Sequence, residues 1–161
     1  MGTVIGWQRV DTAGVEYAEV DADPARLYGQ LVFADRGIPC AVSYRVDCDD
    51  SGVTTRAVVA LRRAGVASSR TIIRDRDGSW TADDRTLPEL VGLRDVDLPI
   101  TPSTNTLPIR RLKLAIGERA HVTAAWVKFP SLDVVPLRQT TGVLLPESTS
   151  TRRRILDSVP K

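Results

Sequence analysis

Apolar and polar residues alternate with a period of two along most of this chain. In the stretch "CAVSYRVDC" (40–48), Val42, Tyr44, Val46 and Cys48 share one side while Ser43, Arg45 and Asp47 share the other. That is the pattern of a strand with one buried and one wet face. The same period, carried by β-branched and aromatic residues, runs through 15–21, 26–33, 54–61, 68–75 and 120–129, and each of these segments is predicted as a strand. The connectors supply turn chemistry: "ADRGIP" and "RDRDGSW" place Asp and Gly where a hairpin needs a capped bend or a positive φ, and "DADP" ends a strand ahead of Pro24. No segment of twelve or more residues keeps apolar positions at helical spacing with caps at both ends. The expectation is a meander of antiparallel hairpins, mainly β, with at most one or two short helical turns.

One stretch departs from the alternation. "DVDLPITPSTNTLPIRRLKLAIGE" (95–118) packs acids, hydroxyl and amide side chains, prolines and an Arg-Arg pair together. Ser103, Thr104 or Asn105 could cap a single helical turn, although Pro108 disfavours the α conformation at residue 107. Beyond it, Leu112, Leu114 and Ile116 alternate with Arg111, Lys113 and Ala115, which predicts a return to strand and a turn at Gly117–Glu118. The stretch reads as a corner between sheets.

Composition narrows the function classes. At 161 residues with 42% apolar content, the chain is long enough for one domain with a core of its own. Twenty-two basic against twenty acidic side chains leave +2, without the basic excess that a nucleic-acid binder concentrates on one face. The N-terminus has no cationic stretch followed by an apolar run, and no segment approaches membrane-spanning length, so a cytoplasmic protein is expected. Cys40 and Cys48, eight residues apart on one predicted strand, lie about 27 Å from each other and cannot bridge. With a single histidine to help them, a metal site is not expected.

The chemistry candidates have two readings each. Asp95 and Asp97, at i and i+2, would point to one side of an extended strand, where two carboxylates could raise a pKa or hold a cation; alternatively they pair with Arg110 and Arg111 across the corner. Thr101, Ser103, Thr104, Asn105 and Thr106 could meet a sugar head group at the rim of an apolar cavity, or satisfy the corner's own backbone. Trp7, Tyr17, Tyr28, Tyr44, Trp80 and Trp126 could line a concavity or fill a core. His121, in "AHVTAAWV", alternates with Thr123 and Ala125, away from Trp126, and no nucleophile-elbow pattern accompanies it. "GVASSR" lacks the spacing and the Lys of a phosphate loop. Catalysis is therefore not expected, and neither is a cofactor.

The corner motif "TNTLPIRRL", with "YRVDCD" (44–49), "GSW" (78–80), "LPEL" (87–90) and "AAWVKFPSLDVVPL" (124–137), resembles the bacterial putative glycolipid-binding domain family over roughly residues 6–139. The resemblance implies a single-domain antiparallel β-roll or half-barrel, spanning residues 1–145, whose hydrophobic concavity binds an amphiphile without catalysis. In that reading the apolar chain lies against Trp7, Tyr17, Tyr28, Tyr44, Trp80 and Trp126, and the head group lies near Asp95, Asp97, Asn105 and Arg110. The end of the chain, "STSTRRRILDSVPK" within 146–161, departs from the family pattern and reads as a capped turn or an unstructured tail. A roll lacking its last strands leaves an edge unpaired, which suggests a homodimer through that edge or a protein-interaction domain with no small ligand as the alternatives.

Overall fold

A computed structural model of the chain describes residues 2–22 and 25–144; the segment 146–161 lies outside the described residues. Eight strands form one sheet in chain order: β1 (Thr3–Gln8), β2 (Gly14–Ala22), β3 (Ala25–Asp35), β4 (Ile38–Cys48), β5 (Thr54–Arg63), β6 (Val66–Arg74), β7 (Trp80–Ala82) and β8 (Arg85–Thr86). All neighbours are antiparallel. β1 and β8 do not pair with each other, so the roll stays open. A second sheet has β10 (Arg119–Val127) at its centre, antiparallel to β11 (Val134–Gly142) and parallel to the short β9 (Val96–Asp97). Pro136 falls inside β11, whose single strand partner among the described residues is β10; an edge strand is where a residue without an N–H is tolerated.

The fold is the mainly β, antiparallel roll with short helical turns that the alternation and the resemblance predict, and it differs from expectation at the corner. A 3-10 turn at Ser103–Asn105 runs directly into helix α1, Thr106–Leu112, and Lys113 ends the helix in the left-handed region with φ 55°. The strand expected from Leu112 onward does not form; Ile116 makes only an isolated bridge to Val143. Two physical reasons apply. Pro108 occupies the first turn of α1, where a missing N–H removes no intrahelical bond, and Leu112 and Ile116 remain exposed, so their alternation reports no buried face. No side-chain cap forms at Asn105; the Thr106 hydroxyl instead donates to the Ser103 carbonyl at 2.6 Å.

The strand register sorts the large sheet into cross-strand rows. On the inner face, Leu27, Val46, Ala57 and Ile72 form one row, Ala18, Gly29, Tyr44 and Val59 the next, and Glu16, Leu31, Val42 and Leu61 a third. Every member but Gly29 and Glu16 belongs to the buried apolar set, which β9, β10 and the corner complete with Val96, Leu98, Ile100, Leu107, Ala125 and Val127. The concavity expected of a half-barrel is therefore filled by the chain's own second sheet and corner. Cys40 and Cys48 are both free and buried on this inner face, and burial pushes the Cys48 thiol up to about 12.

Gly29 sits where a side chain cannot. A Cβ built there would lie 2.4 Å from the ring and hydroxyl of Tyr44, its cross-strand partner. Glycine in a strand normally costs stability relative to alanine, so the sign of a substitution is informative. Gly29→Ala should destabilise by about 1–3 kcal/mol as the Tyr44 ring is displaced, read as a lower urea midpoint. A higher midpoint would show that the ring does not depend on the glycine.

Candidate functional site

Three polar features interrupt the apolar interior and its rim. The first is the corner. Asp95 and Asp97 flank Val96 in β9 and are 2% and 5% exposed. Arg111, in the last turn of α1, grips Asp95 with both ends of its fork: Nε donates to Oδ1 at 3.1 Å and Nη2 to Oδ2 at 2.6 Å. Asp97 Oδ1 accepts the Thr104 hydroxyl at 3.0 Å, and the same hydroxyl oxygen receives the Leu98 N–H. Of the two arginines considered for the acids, Arg111 faces inward; Arg110 is exposed and donates to the Asp21 carbonyl at 3.0 Å. Asn105 is buried in the same corner. Each acid thus serves the packing of the corner, and among the described residues no cluster of His, Cys, Asp or Glu gathers as it would around a metal ion.

The second feature is a buried carboxylate absent from the sequence candidates. Glu16 lies on the inner face of β2, 5% exposed, and its Oε1 accepts hydroxyls from Tyr44 and Thr101, both at 2.6 Å. Ser103 Oγ is buried and makes no hydrogen bond of acceptable geometry. Trp7, directly across from Glu16 on β1, has its indole N–H buried in the same condition. Burial raises the Glu16 carboxyl above the usual range, and the hydroxyls and the charge of Arg9 only partly oppose it. Burial likewise raises Tyr44, helped by the facing Glu16. In "VEYAEVD" the apolar Val15 and Tyr17 suggest the opposite face as the inner one. The pairing of Glu16 with Leu31 and of Ala18 with Gly29 decides it, and that information lies in the register, not in β2 itself.

The third feature is an open recess of about 480 Å³ between the β1–β2 and β3–β4 turns and the second sheet, lined by Arg9, Asp11, Phe33, Asp35, Arg36, Ile100, Trp126 and Phe129 among others. Phe33 and Phe129 meet with ring centroids 5.3 Å apart at 51°, and the Arg9 guanidinium lies 4.8 Å over Phe33. Arg9 also holds Asp11 in a two-point contact at 3.1 and 2.8 Å and donates to the Ile100 carbonyl at 2.9 Å. The hydrogen bond from Arg9 holds the Asp11 carboxyl below its ordinary value. Asp35 takes both donors of Arg63 on Oδ2, while Arg36 forms no ion pair among the described residues. Aromatic faces beside oriented carboxylates and guanidinium groups can stack against and hydrogen-bond a polyhydroxylated ring.

The expected ring lining is only partly assembled. Trp80 is fully buried, with its indole N–H on the Leu93 carbonyl at 3.3 Å, and Tyr44 is 2% exposed; both are core. Tyr17 and Tyr28 face the other side of the sheet, hydrogen-bonded to Glu19 and Gln30 respectively, because they alternate with the inward Ala18, Leu27 and Gly29. Trp126 alone of the six lines the recess. On the outer face a second depression, about 670 Å³, runs past Val15, Tyr17, Val32, Ala41, Ser43, Ala60 and Ser69. Its lining ends on β3 at Val32 and that of the recess begins at Phe33; the two share no residue, the trough lying on the outer face and the recess toward the second sheet. His121 is exposed, its Nδ1 3.1 Å from the Thr140 hydroxyl.

Fold and site together define an open antiparallel β-roll with a filled interior and an aromatic, charged mouth at one end. The chain belongs to the family described as "Putative glycolipid-binding", whose model matches residues 4–154; the match runs past residue 139, where the resemblance in the motifs ends. A crystal structure of a DUF1089 family protein from Pseudomonas aeruginosa is similar to it, with 28% identity and a TM-score of 0.72 over 85% of this chain and 74% of that one. No curated protein matches the chain. No helix among the described residues is long and apolar enough to cross a membrane.

Two outcomes follow from the buried acids. Arg111→Met should cost about 3–5 kcal/mol, since it strands the Asp95 carboxylate, whereas Arg110→Ala should stay within about 0.5 kcal/mol; urea midpoints of the two variants decide between them. For Glu16, the unfolded chain releases its proton near 4.5 and the folded chain releases it higher. Stability linked to this group is therefore present below 4.5 and lost as pH rises through the raised value. Glu16→Gln should flatten that decline in a pH series of unfolding curves; an unchanged slope would show that Glu16 is not its source.

Proposed function

We propose that the protein binds an amphiphile of the glycolipid type without transforming it, with the sugar in the recess and the apolar chain along the outer trough. The observation that carries this reading is the recess itself, where Phe33, Phe129 and Trp126 stand beside the oriented Arg9 and Asp11, with the mostly apolar trough starting at the neighbouring positions of β3. The family's description points the same way. What supports binding without catalysis is that the carboxylates with the deepest burial are occupied by their own partners: Asp95 by Arg111, Glu16 by Tyr44 and Thr101. The head group is assigned to the Trp126 end and not to the 95–111 corner, because the corner is closed against the inner face. A filled interior equally suits a protein-interaction domain, and that is the competing reading.

Alkyl glucosides of increasing chain length, titrated against intrinsic tryptophan fluorescence, separate the two. In the binding reading affinity rises with each methylene by up to about 0.8 kcal/mol until the trough is full, and Trp126→Ala weakens all members of the series alike while the slope persists. Absence of saturable binding, or saturable binding with no chain-length trend, would leave the interaction domain in front.

A further inference from the structure

The large sheet has two chemically different ends. The β1–β2, β3–β4 and β5–β6 turns all lie at one end, since the meander returns there every second strand. This end carries Arg9, Arg36, Arg62 and Arg63 against Asp11 and Asp35. Asp11 and Asp35 are engaged by Arg9 and Arg63, while Arg36 and Arg62 have no ion pair among the described residues. Counted in the same way, turns with the last two residues of each flanking strand, the opposite end carries Asp21, Asp47, Asp49, Asp50, Asp75 and Asp77 against Arg26, Arg74 and Arg76 among the described residues, while the β7–β8 turn, with Asp83 and Asp84, stops level with Thr71, short of the arginine end. The molecule is therefore polarised along its strands.

The arginine end is also where apolar side chains stand out in water. Val10, at the tip of the β1–β2 turn, is 90% exposed, and Val66, following the β5–β6 turn, is 69% exposed. Val15 and Val32, one row further in on the outer face, are 62% and 59% exposed. An apolar tip beside uncompensated arginines fits an interface whose surface is negative and whose depth is apolar. A nucleic acid would use the arginines and leave the valines idle. The recess and the start of the trough open at this same end.

We infer that this end of the sheet docks on an anionic lipid surface, with Val10 and Val66 entering the interface and Arg36 and Arg62 meeting lipid phosphates. The docking goes beyond the ligand reading and stands without it. If both hold, an amphiphile leaving the bilayer enters the recess without crossing bulk water.

The test is co-sedimentation of the whole chain with vesicles of phosphatidylcholine alone and of phosphatidylcholine with phosphatidylglycerol. Binding is expected to the anionic vesicles and to fall with added salt. Arg36→Gln combined with Arg62→Gln should reduce partitioning about twenty- to thirtyfold, each arginine near such a surface contributing about fivefold. Val10→Asp combined with Val66→Asp should abolish it, and neither residue lines the recess or the trough, so octyl glucoside titration of that variant should be unchanged. Should the aspartates perturb folding by circular dichroism, Val10→Ser with Val66→Ser is measured instead, with a reduction of about tenfold expected from the lost apolar contact. Equal binding to both vesicle types, no binding to either, or retention on heparin that ignores the valine substitutions would overturn the inference. A loss of glucoside binding in the wild type with vesicle binding intact would instead count against the ligand reading alone.

Discussion

The Asp95–Arg111 pair is the constraint on which the rest of the arrangement depends. An eight-stranded sheet with an apolar inner face must cover that face or expose it, and here a small second sheet covers it together with a short irregular corner, not a long helix. The corner's own hydrogen bonds, such as those from the Thr101 N–H to the Leu98 carbonyl and from the Ser103 N–H to the Thr101 hydroxyl, shape it without placing it against the sheets, so its position is fixed from outside. The two-point contact from α1 to β9, together with the Thr104 hydroxyl bridging Asp97 and the Leu98 amide, ties the helix to the second sheet. The Thr101 hydroxyl on Glu16 ties it to the first. Leu98, Ile100 and Leu107 are thereby held against the sheet.

That closure decides where a ligand can and cannot go. With Tyr44 and Trp80 sealed inside, a ligand is left with concave surfaces outside the core, such as the end recess and the outer trough. Arg9 connects the recess to the interior: its guanidinium covers Phe33, anchors Asp11 and the Ile100 carbonyl, and lies near enough to Glu16 to act on its charge. Occupancy of the recess and the state of the buried acid therefore bear on the same side chain.

The strands were legible because their alternation is a local property: 40–48 and 54–61 read correctly one residue at a time, and the family model matching residues 4–154 bears out the resemblance. What was not legible depended on pairing. Glu16 and Tyr17 compete for the inner face of β2, and only the register against Leu31 and Gly29 settles which wins. The same alternation put Tyr17 and Tyr28 on the outer face, though as rings they suggested a lining. At Leu112, Leu114 and Ile116 a period of two appeared without a buried face to enforce it, and Lys113 turned the chain instead. Of the two readings of Asp95, the geometry shows the arginine pair across the corner; that the partner is Arg111 and not Arg110 follows from the phase of α1, which two adjacent arginines do not reveal. The recess was missed because Arg9, Asp35 and Phe129 are far apart in sequence and come together only when three turns meet.

The two unpaired thiols give the roll a timekeeping property. Cys40 and Cys48 are both buried on the inner face, so an alkylating reagent reaches neither until the layer packed on that face lifts away. Their modification rate is then set by how often the covering layer detaches and not by thiol chemistry. Two native side chains thus act as a clock for the opening of the layer that Arg111 holds shut.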